Sequence, residues 1–457
     1  MSDNDFYLTR ERAQKLAADT MEMAAKAVKA SRADETEITV YAMDSALTRF
    51  ANNQIHQNNF ERNAQITVRA AVGKRVAKVN SNLLTPEGLA KAVDDAYTLA
   101  QFSPEDEDWA GLPEGPFEYP IKVDFFENTA VLTPEGRAQP LREAFELAGD
   151  TYEAAGTLGN TVVTLGVVNS HGVNAVCNTT QGKFTVLYTG PDSSGYYEDI
   201  KRDFSAMDII GTSRRALEKA EASRNPSGEL EVGKYTVILE EEAVATMMMF
   251  LSWLGFSAKM VHDKESFLTG KMGQKITGDN VTIYDDAGDP RTMGLPFDFE
   301  GVPKQKLVLV ENGVAKAYAH SWKTAAKEGV KSTGHYVGWE EPLPVNLVLA
   351  GGDKTKEELI ASIDRGVLVS RFHYSNVVNP METVITGMTR DGTFLIEGGK
   401  ITRGLKNFRY TQNILTALAN NEGMTAEQRF NSSFFGGGAV VPVIKVRDFN
   451  FSGKTDF

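Results

Sequence analysis

The 457-residue chain has a single cysteine, Cys177, and only six histidines. One thiol forms no intramolecular disulfide and builds no cysteine-rich zinc or iron–sulfur site. Basic residues are not in excess either: 48 Lys and Arg face 61 Asp and Glu, a net charge of −13. Wrapping nucleic-acid phosphates takes clustered positive charge, so direct nucleic-acid binding is not expected. Long apolar runs are also missing. The longest, Ala243–Ala258, carries Thr246, Ser252 and Ser257. At about 1.5 Å rise per residue it falls short of a hydrocarbon core of about 30 Å, so it reads as a buried core helix and not a membrane span. The opening MSDNDFYLTRERAQKL lacks the apolar core of a secretory signal, which makes the cytoplasm the expected compartment.

What is present is an ordinary globular composition organised in two stretches. An apolar stripe through Ala13, Leu16, Ala17, Ala24, Ala27 and Val28 predicts a helix over 11–31. Alternating β-branched segments at Glu37–Tyr41, Ala46–Phe50 and Ala64–Val72 predict a meander, with turns at Asn52-Asn53 and Gly73-Lys74. Thr85 with Pro86 starts another helix, running to about Ala100. The acidic, proline-rich segment 103–120 reads as a linker. Beyond it come a helix over 133–155, strands near 161–169, 173–178 and 182–190, and a helix near 207–223. The order helix, strands, helix suggests a duplication. After the boundary at 224–233 a strand at Tyr235–Leu239 leads into the apolar helix. Further strands are expected at Thr282–Asp285, Lys306–Glu311, Leu347–Ala350, Gly366–Arg371, Thr393–Glu397 and Val440–Val446. The fold class is α+β: an N-terminal α/β region over 1–223 with helices and antiparallel strands and a subdivision near 103–120, then a β-rich, mixed-sheet domain over 234–457.

The residues themselves name no reaction. His56, His171, His262, His320, His335 and His373 never pair at helical spacing, and no HExxH, GxSxG or phosphate-loop motif occurs. His262-Asp263-Lys264-Glu265 is a compact donor cluster whose ordinary reading is a solvated turn. Gly436-Gly437-Gly438 reads as a backbone turn, and Cys177 as a small packed hydrophobe. Two segments stand out as groove candidates for a peptide or polar ligand. One is KSTGHYVG with Ser332, Thr333, Gly334 and His335. The other is VSRFHYSNVV with Arg371, His373, Tyr374 and Asn376, where alternation predicts Arg371, His373 and Ser375 on one face and Phe372 and Tyr374 on the other.

Several long motifs resemble the TldD/PmbA family, whose members were once called modulators of DNA gyrase. They are LTRFANNQIHQNNFERNAQITVRAAVGKRVAKVNSN (Leu47–Asn82), SFLTGKMGQKIT (Ser266–Thr277), VLVENGVAKAY (Val308–Tyr318), STGH (Ser332–His335) and the run Arg371–Leu418. The resemblance implies a cytoplasmic zinc peptidase of two related subunits that degrades unfolded or short peptides. In it the TldD-type subunit binds zinc through an HExxxH helix and a C-terminal cysteine, and the TldE/PmbA-type subunit shares the fold without those ligands. The position of the HExxxH helix corresponds here to Met248–Gly255, which reads MMFLSWLG, and the tail after Phe430 has neither Cys nor His. Thioether, aromatic and aliphatic groups do not replace imidazole and thiolate at zinc.

The resemblance therefore implies a TldE/PmbA-like, non-catalytic subunit with no cofactor and no catalytic or metal residues of its own. Its expected partners are a zinc-bearing TldD-type catalytic subunit and peptide substrates. Self-association as a homodimer is left open for the isolated chain. Two alternatives stand beside this: an autonomous metallohydrolase drawing on His262, Asp263, Glu265, His335 and His373, or a non-enzymatic regulatory binding protein.

Overall fold

A computed structural model describes residues 7–228, 230–338, 341–432 and 437–455. Chain order begins with α1 (Arg10–Lys29), β1 (Glu35–Ala51), β2 (Gln54–Val72), β3 (Arg75–Ser81) and α2 (Pro86–Phe102). After a short α3 (Glu127–Ala130) come α4 (Pro134–Ala148), β4 (Glu153–Asn169), β5 (Asn174–Thr189), β6 (Ser194–Lys201) and α5 (Ile209–Ala222). The six strands form one antiparallel sheet in the order β3-β2-β1-β4-β5-β6.

Local chemistry accounts for the punctuation. Asn52 and Asn53 both take positive φ (52° and 57°), the tight-hairpin geometry that joins β1 to β2. Thr85 and Thr133 each cap a helix, accepting from Gly88 and Gly136 N–H at 3.1 Å. Three expectations shift. The two short strands expected over 37–50 are one, β1, because β2 and β4 pair along both of its edges. The helix expected over 133–155 ends at Ala148, where Gly149 turns to φ +55° and β4 begins four residues later. The pattern over 182–190 belongs to β5, and the hairpin partner β6 carried no separate signal.

Residues 103–120 contain no helix or extended strand, and β1 before them pairs with β4 after them. Helix, three strands, helix thus occurs on both sides of the central β1–β4 pair. One face of the sheet packs under helices: Ile38, Val40, Ile66 and Val68 meet α1 and α2, while Phe50, Phe184, Val186 and Tyr188 meet α4 and α5. The opposite face, with Leu165, Val167 and Ala175, is covered by Phe117 and Tyr119 and by Phe297 and Phe299 from the second half. Cys177 packs beside that cluster, and burial pushes its thiol up to about 11, which fits the packed-hydrophobe reading.

The second half contains β7 (Gly233–Leu239), α6 (Glu241–Gly255), α7 (Ala258–His262), β8 (Ile283–Asp285), β9 (Leu307–Glu311), β10 (Val314–Ala315), α8 (Trp322–Glu328), β11 (Asn346–Leu349) and α9 (Lys356–Ala361). It ends with β12 (Arg365–Asn379), β13 (Val384–Glu397), β14 (Lys400–Gly404), β15 (Phe408–Asn413), α10 (Ile414–Ala419), β16 (Asn421–Ser432) and β17 (Gly438–Lys454). The sheet is mixed: β7–β12 and β11–β17 are parallel pairs among antiparallel ones. Its path β17-β15-β13-β12-β7 returns to β17, so five strands close into a ring. Val237, Leu239, Val367, Val369, Phe449 and Phe451 fill the inside together with Ala243, Val244, Met247 and Leu251 of α6. Ile238, Leu368 and Ile396 face outward under α9 residues Leu359 and Ile360. The apolar run is therefore core, as expected, broken at Phe256-Ser257 into α6 and α7. Among the described residues no helix is long and apolar enough to cross a membrane.

Candidate functional site

A cavity of about 790 Å³ lies where the edge of the first sheet meets the inner side of the second. Lys183, Tyr196 and Glu198 reach it from β5 and β6. Glu242, Ala245, Thr246, Met249 and Trp253 line it from one face of α6, and Arg371 to Asn376 line it from β12. A second, apolar cavity of about 340 Å³ adjoins it, sharing Ala245, Met249, Trp253, Asn431 and Ser432.

The β12 wall departs from simple alternation. Its register with β13 shifts between His373 and Asn376, and Tyr374 adopts φ +48°. A bulge re-aims side chains, so all six residues of RFHYSN border the cavity in place of the two-faced strand expected. Phe372 is buried, whereas Tyr374 is 81% exposed. Arg371 donates through Nε to Asp391 at 2.5 Å and lies 4.1 Å over the Tyr196 ring. Asp391 also accepts from Ser194 Oγ at 2.6 Å, which ties the two sheets together. Burial, then the nearby Arg390 and Arg371 charges, hold His373 below the usual imidazole value.

The floor is a charge network. Arg429 lies 4.0 Å over the Tyr197 ring, donates to the Glu198 carbonyl at 2.7 Å and pairs with the Glu242 carboxylate. The Glu198 carboxylate accepts from the Ser432 N–H at 2.8 Å, and Lys183 Nζ reaches Ser432 Oγ at 2.8 Å. Burial raises the Tyr196 and Tyr197 hydroxyls well above the ordinary phenol range. Glu242 Oε2 and Asn431 Oδ1 are buried with no hydrogen-bond partner among the described residues. Lys183, Glu198 and Asn431 carried no signal in the sequence; only the docking of β6 against β13 and β16 assembles them.

The second candidate segment is elsewhere. Ser332 and His335 are buried and none of Ser332, Thr333, Gly334 or His335 lines either cavity. His335 Nε2 lies 3.1 Å from Asp285 and Nδ1 lies 2.9 Å from Thr333 Oγ1. Gly334 takes φ +72°, and a Cβ there would fall 2.3 Å from the Pro303 carbonyl oxygen. His262 pairs with Glu328 at 2.5 Å. Among the described residues no three His, Cys, Asp or Glu are placed to share a metal ion. Gly436 of the glycine triplet lies outside the described residues, while Gly437 takes φ +68° ahead of β17.

This architecture is that of a metallopeptidase family. The model described as PmbA/TldA metallopeptidase domain 1 matches residues 36–100, and that of the PmbA/TldA metallopeptidase C-terminal domain matches 232–453. The chain belongs to the PmbA/TldD family. It is 27% identical over 334 residues to a metalloprotease of Methanothermobacter thermautotrophicus, covering 66% of this chain and 71% of that one. It is 23% identical over 447 residues to metalloprotease PmbA of Escherichia coli O157:H7, covering 91% and 92%. In fold it is similar to the crystal structure of TldE from Thermococcus kodakarensis, with a TM-score of 0.84 at 24% identity, covering 96% and 100%.

A metallopeptidase of this kind implies zinc, and the cavity-facing residues of α6 do not fit that ion. They offer a methionine, an indole, a phenyl ring, two hydroxyls and one carboxylate, Glu242, already held by Arg429.

Proposed function

We propose that this chain is the non-catalytic, TldE/PmbA-type subunit of a two-subunit peptidase whose zinc resides on a TldD-type partner. The observation that carries the reading is the α6 face: a large cavity opens on it, and its side chains are those of a binding wall, not of a zinc site. The bulged β12 segment, with backbone freed from the ladder around Tyr374, is suited to hold an extended peptide by strand addition. Arg371, His373, Tyr374 and Asn376 are the groove residues in this reading; Ser332, Thr333, Gly334 and His335 belong to the separate loop that packs on Asp285. The working place is the cytoplasm.

The test is co-expression with an HExxxH-bearing family member from the same organism. The expected result is a stable complex that cleaves short peptides, with zinc found only on the partner. Stoichiometric zinc on the isolated chain, together with peptidase activity lost in His373→Ala, would establish an autonomous hydrolase instead. Neither complex nor enhancement of the partner's activity would end the proposal.

A further inference from the structure

Resting on that reading, we infer that the smaller cavity is a pocket for one bulky apolar side chain of the bound peptide, with Asn431 at its entrance holding the peptide backbone. The pocket is walled by Met249 and Trp253 of α6 and by Leu343, Val345, Leu347 and Ala439. Ser252, the polar group on this wall, is spent: its hydroxyl donates to the Pro344 carbonyl at 2.5 Å. About 340 Å³ is within the 300–1,000 Å³ that small-ligand pockets occupy, so a leucine or phenylalanine side chain fits with room to adjust.

Asn431 gives the pocket a direction. It borders both cavities and is 1% exposed. Its Nδ2 donates to the Arg429 carbonyl at 3.1 Å, and its Oδ1 has no partner among the described residues. A buried acceptor left unpaired is costly, and a donor arriving with a ligand removes that cost. A peptide N–H is such a donor, and a neutral one. It suits a neutral acceptor at the junction better than a cationic group, because the Arg429 guanidinium contacts Glu242 on the same floor. An extended chain along β12 in the larger cavity, with one N–H on Asn431, sends the adjoining side chain toward the apolar pocket. Acidic side chains are excluded there, since the charged group among the described lining residues is itself a carboxylate, Glu341.

Titration calorimetry with capped Ala-Ala-Xaa-Ala-Ala peptides, applied to the chain alone and in complex with its partner, tests this. Leu and Phe at Xaa are expected to bind at least about ten-fold tighter than Ala, and Asp weaker than Ala, as burial of apolar area requires. Ala245→Phe fills the pocket and should level the Leu and Ala peptides; if that variant does not fold, Met249→Trp blocks the same wall. Asn431→Leu should weaken all four peptides while keeping their order. Equal affinity for all four peptides, or a preference that survives the blocked pocket, overturns the pocket while leaving peptide binding intact. No binding of any peptide in either state overturns the pocket and the peptide-holding reading together.

Discussion

Ser332–His335 and Arg371–Asn376 both carry hydroxyls and an imidazole, yet their surroundings are opposite. In the first, the imidazole nitrogens and Asp285 are used up inside a closed loop, and His335 has no accessible side-chain surface. In the second, a bulge carries Tyr374 and Ser375 out of the ladder; Arg371 is anchored on Asp391 and Ser375 on Tyr410, while Tyr374 stays exposed. The difference is one of satisfaction: polar groups that find partners within the fold become structure, and those left facing a cavity remain for ligands.

The largest test of that contrast is Asp285→Ala. It strips His335 and the Asn346 N–H (2.6 Å from Asp285) of their partner in a sealed site, and a loss of about 3–5 kcal/mol by urea unfolding is expected. A loss below about 1 kcal/mol would mean the loop is not held this way. Arg371→Ala comes next. Asp391, with a side chain 1% exposed, keeps Ser194 and the more distant Arg390 (3.9 Å) but loses its close guanidinium; about 1–3 kcal/mol should go, together with peptide affinity.

A pH series sharpens the comparison further. Burial holds His335 below 6.5, so the unfolded chain takes up its proton first as pH falls, and stability is complete above 6.5 and declines below it. Asp285, lowered by His335 despite its own burial, adds a further loss below 3.8. His335→Gln should flatten the upper part of this decline in thermal melts; His373→Gln, whose half-buried imidazole is also held below its usual value, should flatten it by less. The smallest effect is expected from Tyr374→Gly. Glycine accepts φ +48° freely, so stability should move by about 1 kcal/mol or less, while peptide binding falls with the lost ring.

Much of the first sheet is legible in the sequence because it is built of neighbours. Asn52-Asn53 and the Thr-Pro helix starts are local signals with local consequences. The α6 core helix and the α+β class follow from composition and period alone. The site is legible only on its β12 side. RFHYSN attracts notice, but its alternation predicts two faces, and the bulge at Tyr374 depends on pairing with β13. STGH attracts the same notice for another reason, its fit against Asp285 from 50 residues away. Lys183 and Glu198 sit on the consecutive strands β5 and β6, but Asn431 comes from β16, more than 200 residues further on, and no window of sequence places the three together.

Strand β17 gives the ring a clock. It pairs with β7, β11, β15 and β16, and its contact with β7 joins residues roughly two hundred positions apart. At about 5–20 residues per second of synthesis, β7 waits on the order of 10–40 s before its partner leaves the ribosome. The first sheet, paired strand to neighbouring strand but for β1–β4, has a shorter wait, since that pair joins residues 106 to 132 positions apart. For that interval the nascent chain carries a finished sheet beside an open one, with α6 uncovered, and this is the moment at which chaperone binding should be sought.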